Sequence, residues 1–168
     1  MSHSKEGFFT SDFYTDNLIK YLRERKAEDK EKPVFAYLPF SAPHWPLQCA
    51  KEDRERYRGM YDDGPDALRL QRLAKLQELG LVPKDVKPHH VVTGPMNPEW
   101  DEMTDHERQC SARAMECFAG MVDNIDQNVG KIVEYLKKTG EFDSELTRSS
   151  LHCGLDGLRC RHHDHIPK

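Results

Sequence analysis

A chain of 168 residues is long enough for one domain around a single core and too short to favour two. Its 25 Lys and Arg against 29 Asp and Glu give a formal net charge of -4, so no basic excess is present to neutralise phosphates, and nucleic acid is not expected as a partner. No apolar run approaches the roughly 18 residues that span a bilayer and the N-terminus lacks the apolar stretch of a signal peptide, which makes a soluble, untargeted, cytoplasmic polypeptide the default expectation, with no membrane partner.

The first element is an amphipathic helix predicted over 11–32, with Thr10, Ser11 and Asp12 as candidate caps and Leu18, Ile19 and Leu22 at helical spacing. Pro33-Val34-Phe35-Ala36-Tyr37-Leu38-Pro39-Phe40 follows, a short apolar run between prolines that reads as a strand buried on both faces. Helix followed by buried strand indicates an α/β architecture. Ser41-Ala42-Pro43-His44-Trp45-Pro46 cannot be helical, because its two prolines remove donors and bias the residues before them to extended conformations. It forms a stiff loop at the C-terminal end of a strand, the edge at which open α/β sheets bind ligands, and His44 is therefore the leading candidate for a functional side chain.

Arg54, Arg56 and Arg58 alternate with Asp53 and Glu55, the pattern of a solvated face. A second helix is predicted over 66–79, with Pro65 in its first turn, Leu68, Leu73 and Leu76 along a stripe, and Gly80 as the stop. Four prolines between Val82 and Trp100 mark an irregular excursion, with residues 90–93 as a second strand at best. Thr104-Asp105-His106-Glu107 is a capping box that opens a long apolar-periodic region through Met115, Met121, Ile125, Ile132 and Leu136, closed by Gly140. Gly120 and Gly130 lie inside it, and a kink or a break into two helices is predicted there.

From Ser144 the periodicity ceases and a tail rich in Cys and His begins. Residues 1–143 form one unit, and 144–168 are expected to be an aberrant or disordered tail. Cys153, Cys160, His162, His163 and His165 have no spacing typical of a zinc finger. The five cysteines include no Cys-x-x-Cys pair, so idle thiols are expected rather than a disulfide framework. His89-His90 reads as exposed, while Asp62, Asp63, Asp123 and Asp126 read as surface or capping carboxylates. Leu, Ile, Val and Phe number 34 of 168, about 20%, which predicts a thin core. A lone buried strand would leave its backbone groups unpaired, so the sheet that it belongs to must be largely elsewhere.

Several segments together resemble the sulfatases. Tyr37-Leu38-Pro39-Phe40-Ser41-Ala42-Pro43-His44-Trp45-Pro46-Leu47-Gln48 is similar to the segment in which a buried strand delivers a histidine to the sulfate. Phe13 to Ile19 and Tyr57 to Asp62 resemble its flanks in microbial arylsulfatases, and Arg113 to Ile132 resembles helices leading toward the second metal-binding strand. The likeness runs from about Gly7 to Asp143. It implies a partial α/β/α sandwich of the alkaline-phosphatase type, here a helix-rich portion with few strands.

The resemblance also implies a chemistry: hydrolysis of a sulfuric ester, of the aryl sulfate type, by a hydrated formylglycine made from a cysteine and assisted by calcium. His44 matches the histidine that contacts the sulfate. The formylglycine signature, Cys-x-Pro-x-Arg or its Ala variant, occurs nowhere in the sequence, and Cys110-Ser111-Ala112-Arg113 places its arginine one position early. The paired aspartates of the family's start and the Ser-Asp-Asn-Gly type of strand end are also absent. The chain alone is therefore expected to be inactive, and the expectation for the change at Ser144 is that the reading frame passes there into intron or shifted frame, with the start likewise truncated. The alternatives are a non-catalytic remnant and a helical module that pairs with another polypeptide.

Overall fold

A computed structural model describes residues 7–30, 32–92, 94 and 98–142 of the chain. Four α-helices occur among them: α1 (Thr10–Arg23), α2 (Lys51–Glu55), α3 (Gly64–Glu78) and α4 (Asp105–Thr139), with short 3-10 turns at Ala27–Asp29 and Trp100–Glu102. The tail from residue 143 onward, including the Cys and His cluster, lies outside the described residues.

The spine is α4, 35 residues long and so about 50 Å from end to end at 1.5 Å per residue. It opens with the capping box expected from sequence: Thr104 Oγ1 accepts from the Glu107 backbone N–H, and Glu107 accepts in return from the Thr104 N–H at 2.8 Å. It ends at Gly140, whose φ of 76° places it in the left-handed region that glycine adopts without strain. The predicted break at Gly120 and Gly130 does not occur. A Cβ at Gly120 would sit 2.9 Å from Cys49 Sγ and 3.1 Å from the Arg54 backbone nitrogen, so this glycine lets α2 approach the helix axis closely. Packing on that face outweighs a helix-propensity cost of about 1 kcal/mol. Gly130 meets nothing within 4 Å and is simply carried along.

Two elements, α1 and α2, pack on this spine. Buried Leu22, Ala112, Ala119, Met121, Ile125 and Leu136 form the apolar core, and Ser11, Thr15, Asp53, Glu116 and Asn128 are buried beside them. Such a core is as thin as the composition predicted. The cap of α1 is Phe9, not one of the candidates, and the helix stops at Arg23 rather than continuing to Lys32. Arg25 explains the stop: its Nε donates to the Leu22 carbonyl at 3.0 Å, satisfying an end of the helix, and its Nη2 reaches Glu141 at 2.5 Å beyond the end of α4. Helix α3 begins two residues earlier than predicted, with Pro65 in its first turn, and Leu70 and Leu76 on it and Leu79 at its C-cap stay exposed.

No strand occurs among the described residues. The segment predicted as a buried strand, 33–40, is non-helical and forms no strand pairing among the described residues, and Phe35 and Tyr37 are 94% and 80% exposed. Residues 90–92 likewise form no strand, and Thr93 lies outside the described residues. The reason is physical: a strand is stabilised by the ladder of a neighbour, and no neighbouring strand is supplied here. The expected sandwich therefore does not appear among these residues, which are helices joined by irregular segments.

Candidate functional site

His44 stands in a turn closed by its own N–H, which donates to the Ser41 carbonyl at 3.1 Å. The peptide bonds Ala42–Pro43 and Trp45–Pro46 are both cis, and Pro43 is buried while His44 and Trp45 are exposed. His44 Nδ1 lies 2.7 Å from the Trp45 carbonyl oxygen. A carbonyl can only accept, so this contact puts the proton on Nδ1 and leaves Nε2 without a partner among the described residues. In the imidazolium form Nε2–H is a donor available to an anion; in the neutral form Nε2 is an acceptor.

The turn is held from both sides. On its N-terminal side the hydroxyls of Ser41 and Thr10, the first residue of α1, are 2.9 Å apart. On its C-terminal side the chain runs through Cys49, whose Sγ is 3.4 Å from Cys117 Sγ on α4, and into α2. Asp53 on α2 accepts from Gln127 Nε2 at 3.2 Å, Arg56 donates to Asp123 at 2.7 Å, and the Gly59 N–H donates to the buried Glu116 carboxylate at 2.8 Å. Arg113 also pairs with Glu116. The α1 side is locked to the same helix, since Asp12 accepts from Asn128 at 2.9 Å and from Lys131 at 2.9 Å. His44 is thus carried by a turn whose two flanks both report to α4.

Charges in this framework are paired. Burial would raise the Asp12 carboxyl, but the hydrogen bonds from Lys131 and Asn128 and the Lys131 charge outweigh it and hold the group below its ordinary value. Arg54 and Arg58 both bind Glu55, at 3.2 and 3.1 Å, so the arginine run is neutralised by its own interleaved acids and by Asp123. Asp62, Asp63 and Asp126 are exposed, and His89 and His90 stack on each other in the exposed excursion at 4.1 Å. The readings of Asp62, Asp63, Asp126, His89 and His90 as surface residues hold, whereas Asp123 is half-buried against Arg56, and Asp53, within the run read as a solvated face, is buried because α2 packs on α4.

Among the described residues no group of three or more His, Cys, Asp or Glu lies close enough to hold a metal ion. The described residues do not fit the calcium expected from the resemblance, and Asp12 and Asp53, on the elements that flank the His44 turn, are already engaged by Asn128, Lys131 and Gln127. No described helix is long and apolar enough to cross a membrane. The sequence singles out His44 as a candidate but gives no sign of the Thr10–Ser41 hydroxyl pair or the Cys49–Cys117 thiol pair. Neither has a local signal, because partners separated by 31 and 68 residues meet only when the helices pack.

The chain belongs to the sulfatase family, whose model matches residues 3–146, the region that holds the His44 turn and all four helices. Among named relatives it is similar to an uncharacterised sulfatase of Schizosaccharomyces pombe (strain 972 / ATCC 24843), at 45% identity over 154 residues, covering 92% of this chain and 27% of that protein. It is also similar to an arylsulfatase of Klebsiella aerogenes, at 35% identity over 141 residues, covering 84% of this chain and 29% of that protein. The chain thus spans under a third of the length of either relative.

Proposed function

We propose that residues 1–143 are a portion of a sulfatase catalytic domain and that His44 is its sulfate contact. The supporting observation is the His44 ring itself, with Nδ1 fixed on the Trp45 carbonyl at 2.7 Å and Nε2, on an exposed turn, without a partner among the described residues. In the imidazolium form, Nε2–H donates to a sulfate oxygen and then supplies a proton to the departing alcohol or phenol oxygen as the ester bond to sulfur breaks. Aryl sulfates are the favoured substrate class, after the name of the bacterial relative. Segment 33–40 becomes a sheet strand when flanking sequence of the domain is present, which covers Phe35 and Tyr37 and completes an α/β/α sandwich.

This chain alone carries no formylglycine motif and, among its described residues, no metal cage, so the reading assigns it no turnover by itself. Formylglycine and calcium would supply the attacking oxygen and charge neutralisation in a complete domain; here the chain's own contribution is binding and proton delivery at His44. The test is calorimetric titration of the chain with sodium sulfate, alongside an assay with a chromogenic aryl sulfate. Weak sulfate binding that is lost in His44→Ala without loss of helical signal, together with no hydrolysis above background, supports the reading. Hydrolysis by the chain alone, or sulfate binding unchanged by His44→Ala, overturns it.

A second reading, a non-catalytic helical module that pairs with another polypeptide, is favoured by the exposure of Phe35, Tyr37, Trp45 and Leu79. A folded chain that sediments as a stable oligomer and shows no sulfate binding would replace the first reading with this one.

A further inference from the structure

We propose that Cys49 and Cys117 are a dithiol modification site that closes to a disulfide on exposure to a low-molecular-weight disulfide of the glutathione class, stapling the segment that carries His44 to α4. The two sulfurs, 68 residues apart in sequence, are 3.4 Å apart in space, and both side chains are half-buried. A disulfide bond is about 2.05 Å, so rotation about the Cα–Cβ bonds has little more than an ångström to cover. The backbone on both sides is already docked. Gly120 lies one turn along α4 from Cys117, and its missing side chain is what lets Cys49 and the start of α2 come so near the helix.

Among the described residues no other thiol is paired with these sulfurs. Cys110, the remaining described thiol, is exposed on α4 and lies 3.7 Å from His106 Nε2 on the same helix. Burial, followed by the contact with Cys117, pushes the Cys49 thiol up to about 12, so it is a poor target for single-site reagents and depends on its neighbour to react. The exchange has two steps. A thiolate of the pair attacks one sulfur of glutathione disulfide, forming a mixed disulfide and expelling one glutathione thiolate. The second cysteine, losing its proton to that thiolate or to water, then attacks the protein sulfur of the mixed disulfide and expels the second glutathione. The protein loses two protons and two electrons, and one glutathione disulfide becomes two glutathione thiols. The bond closes a loop containing the excursion and α3, and it restrains the C-terminal flank of the His44 turn.

The experiment equilibrates the full 168-residue chain with reduced and oxidised glutathione, with and without urea, then quenches with acid, alkylates free thiols and maps the cysteines by digestion and mass spectrometry. The expected result is a Cys49–Cys117 cross-linked peptide whose yield at a given glutathione ratio is at least about tenfold greater in buffer than in urea, because folding raises the effective concentration of one thiol at the other. Cys110 should carry glutathione or alkyl label instead. Cys49→Ser and Cys117→Ser should each abolish the cross-link while keeping the far-UV helical signal. Free alkylation of both Cys49 and Cys117 under conditions that glutathionylate Cys110 would overturn the proposal, as would equal cross-linking in buffer and urea, or pairing of either residue with other cysteines.

Discussion

Asn128 of α4, fully buried, donates to the Asp12 carboxylate of α1 at 2.9 Å across 116 residues of sequence. The same amide group donates to the Asn124 carbonyl at 2.8 Å, and Lys131 closes the cluster on Asp12 at 2.9 Å. This polar joint, rather than a broad apolar face, is what sets α1 against the spine. Asn128→Leu should lower stability by about 1–3 kcal/mol, because the buried amide's bonds to Asp12 and Asn124 are lost together. A urea titration followed by far-UV circular dichroism measures it. Asp126→Asn, on the exposed face of the same helix, should stay within about 0.5 kcal/mol of wild type.

Acid should weaken the fold in a defined window. Asp12 and Glu141 are both held below their ordinary values of 3.8 and 4.5, the first by Lys131 and Asn128 against the opposing effect of burial, the second chiefly by its hydrogen bond from Arg25. The unfolded chain then binds these protons more readily than the folded one. Their stabilising contribution is complete above the ordinary values and is lost as pH falls through them toward the folded values. Thermal midpoints measured from about pH 6 down to about pH 3 should therefore fall, and the fall should be shallower in Asp12→Asn. Equal slopes for the two proteins would remove Asp12 from this account.

The two internal glycines of α4 should respond in opposite directions. Gly120→Ala forces Cys49 Sγ and the Arg54 and Asp53 backbone outward from contacts at 2.9–3.1 Å, and should destabilise by about 1–3 kcal/mol. Gly130→Ala meets open space within a helix and should stabilise by about 0.5–1 kcal/mol. Denaturant midpoints of the two variants decide it, and matching signs would mean that α2 does not approach α4 as described.

Gly64 offers a second steric test. Its φ is +82°, and an added Cβ would fall on the Trp100 ring, so Gly64→Ala combines backbone strain with a clash against a rigid aromatic. A loss of about 2–4 kcal/mol is expected. Trp100 fluorescence should shift in Gly64→Ala as the ring is displaced, and an unchanged spectrum with unchanged stability would show that the ring does not cover this glycine.

Replacing Phe35 and Tyr37 together by Ser should change the stability of this chain by less than about 0.5 kcal/mol, since both rings are already in water. The same substitution in a sheet core would cost several kcal/mol. A large loss in the isolated chain would show that segment 33–40 is packed after all, and an accompanying fall in self-association would identify these rings as its adhesive surface.

Helices proved readable because their signals are local. Thr104 and Glu107 announce the start of α4 three residues apart, and Pro65 and Gly140 punctuate α3 and α4 through backbone conformation alone. The prolines around His44 likewise excluded a helix and marked a turn. The errors lie where long-range packing decides. Gly120 looked like a breaker, yet it is the contact point of α2, and the end of α1 was misplaced because Arg25 finds a partner in Glu141, 116 residues away. Segment 33–40 has the composition of a buried strand, but composition cannot provide the neighbouring strand that would bury it.

By itself, the amino-acid sequence determined the thin core, the helical periodicities, the capping box and the family that the His44 segment belongs to, because each rests on residues adjacent in the chain or on its overall composition. Only the tertiary structure decided that α4 is one unbroken spine, that both flanks of the His44 turn are tied toward it, and that Cys49 meets Cys117. Those relationships depend on which helix faces meet. That is settled by the summed packing of α1 and α2 on α4, a quantity that no short stretch of residues contains.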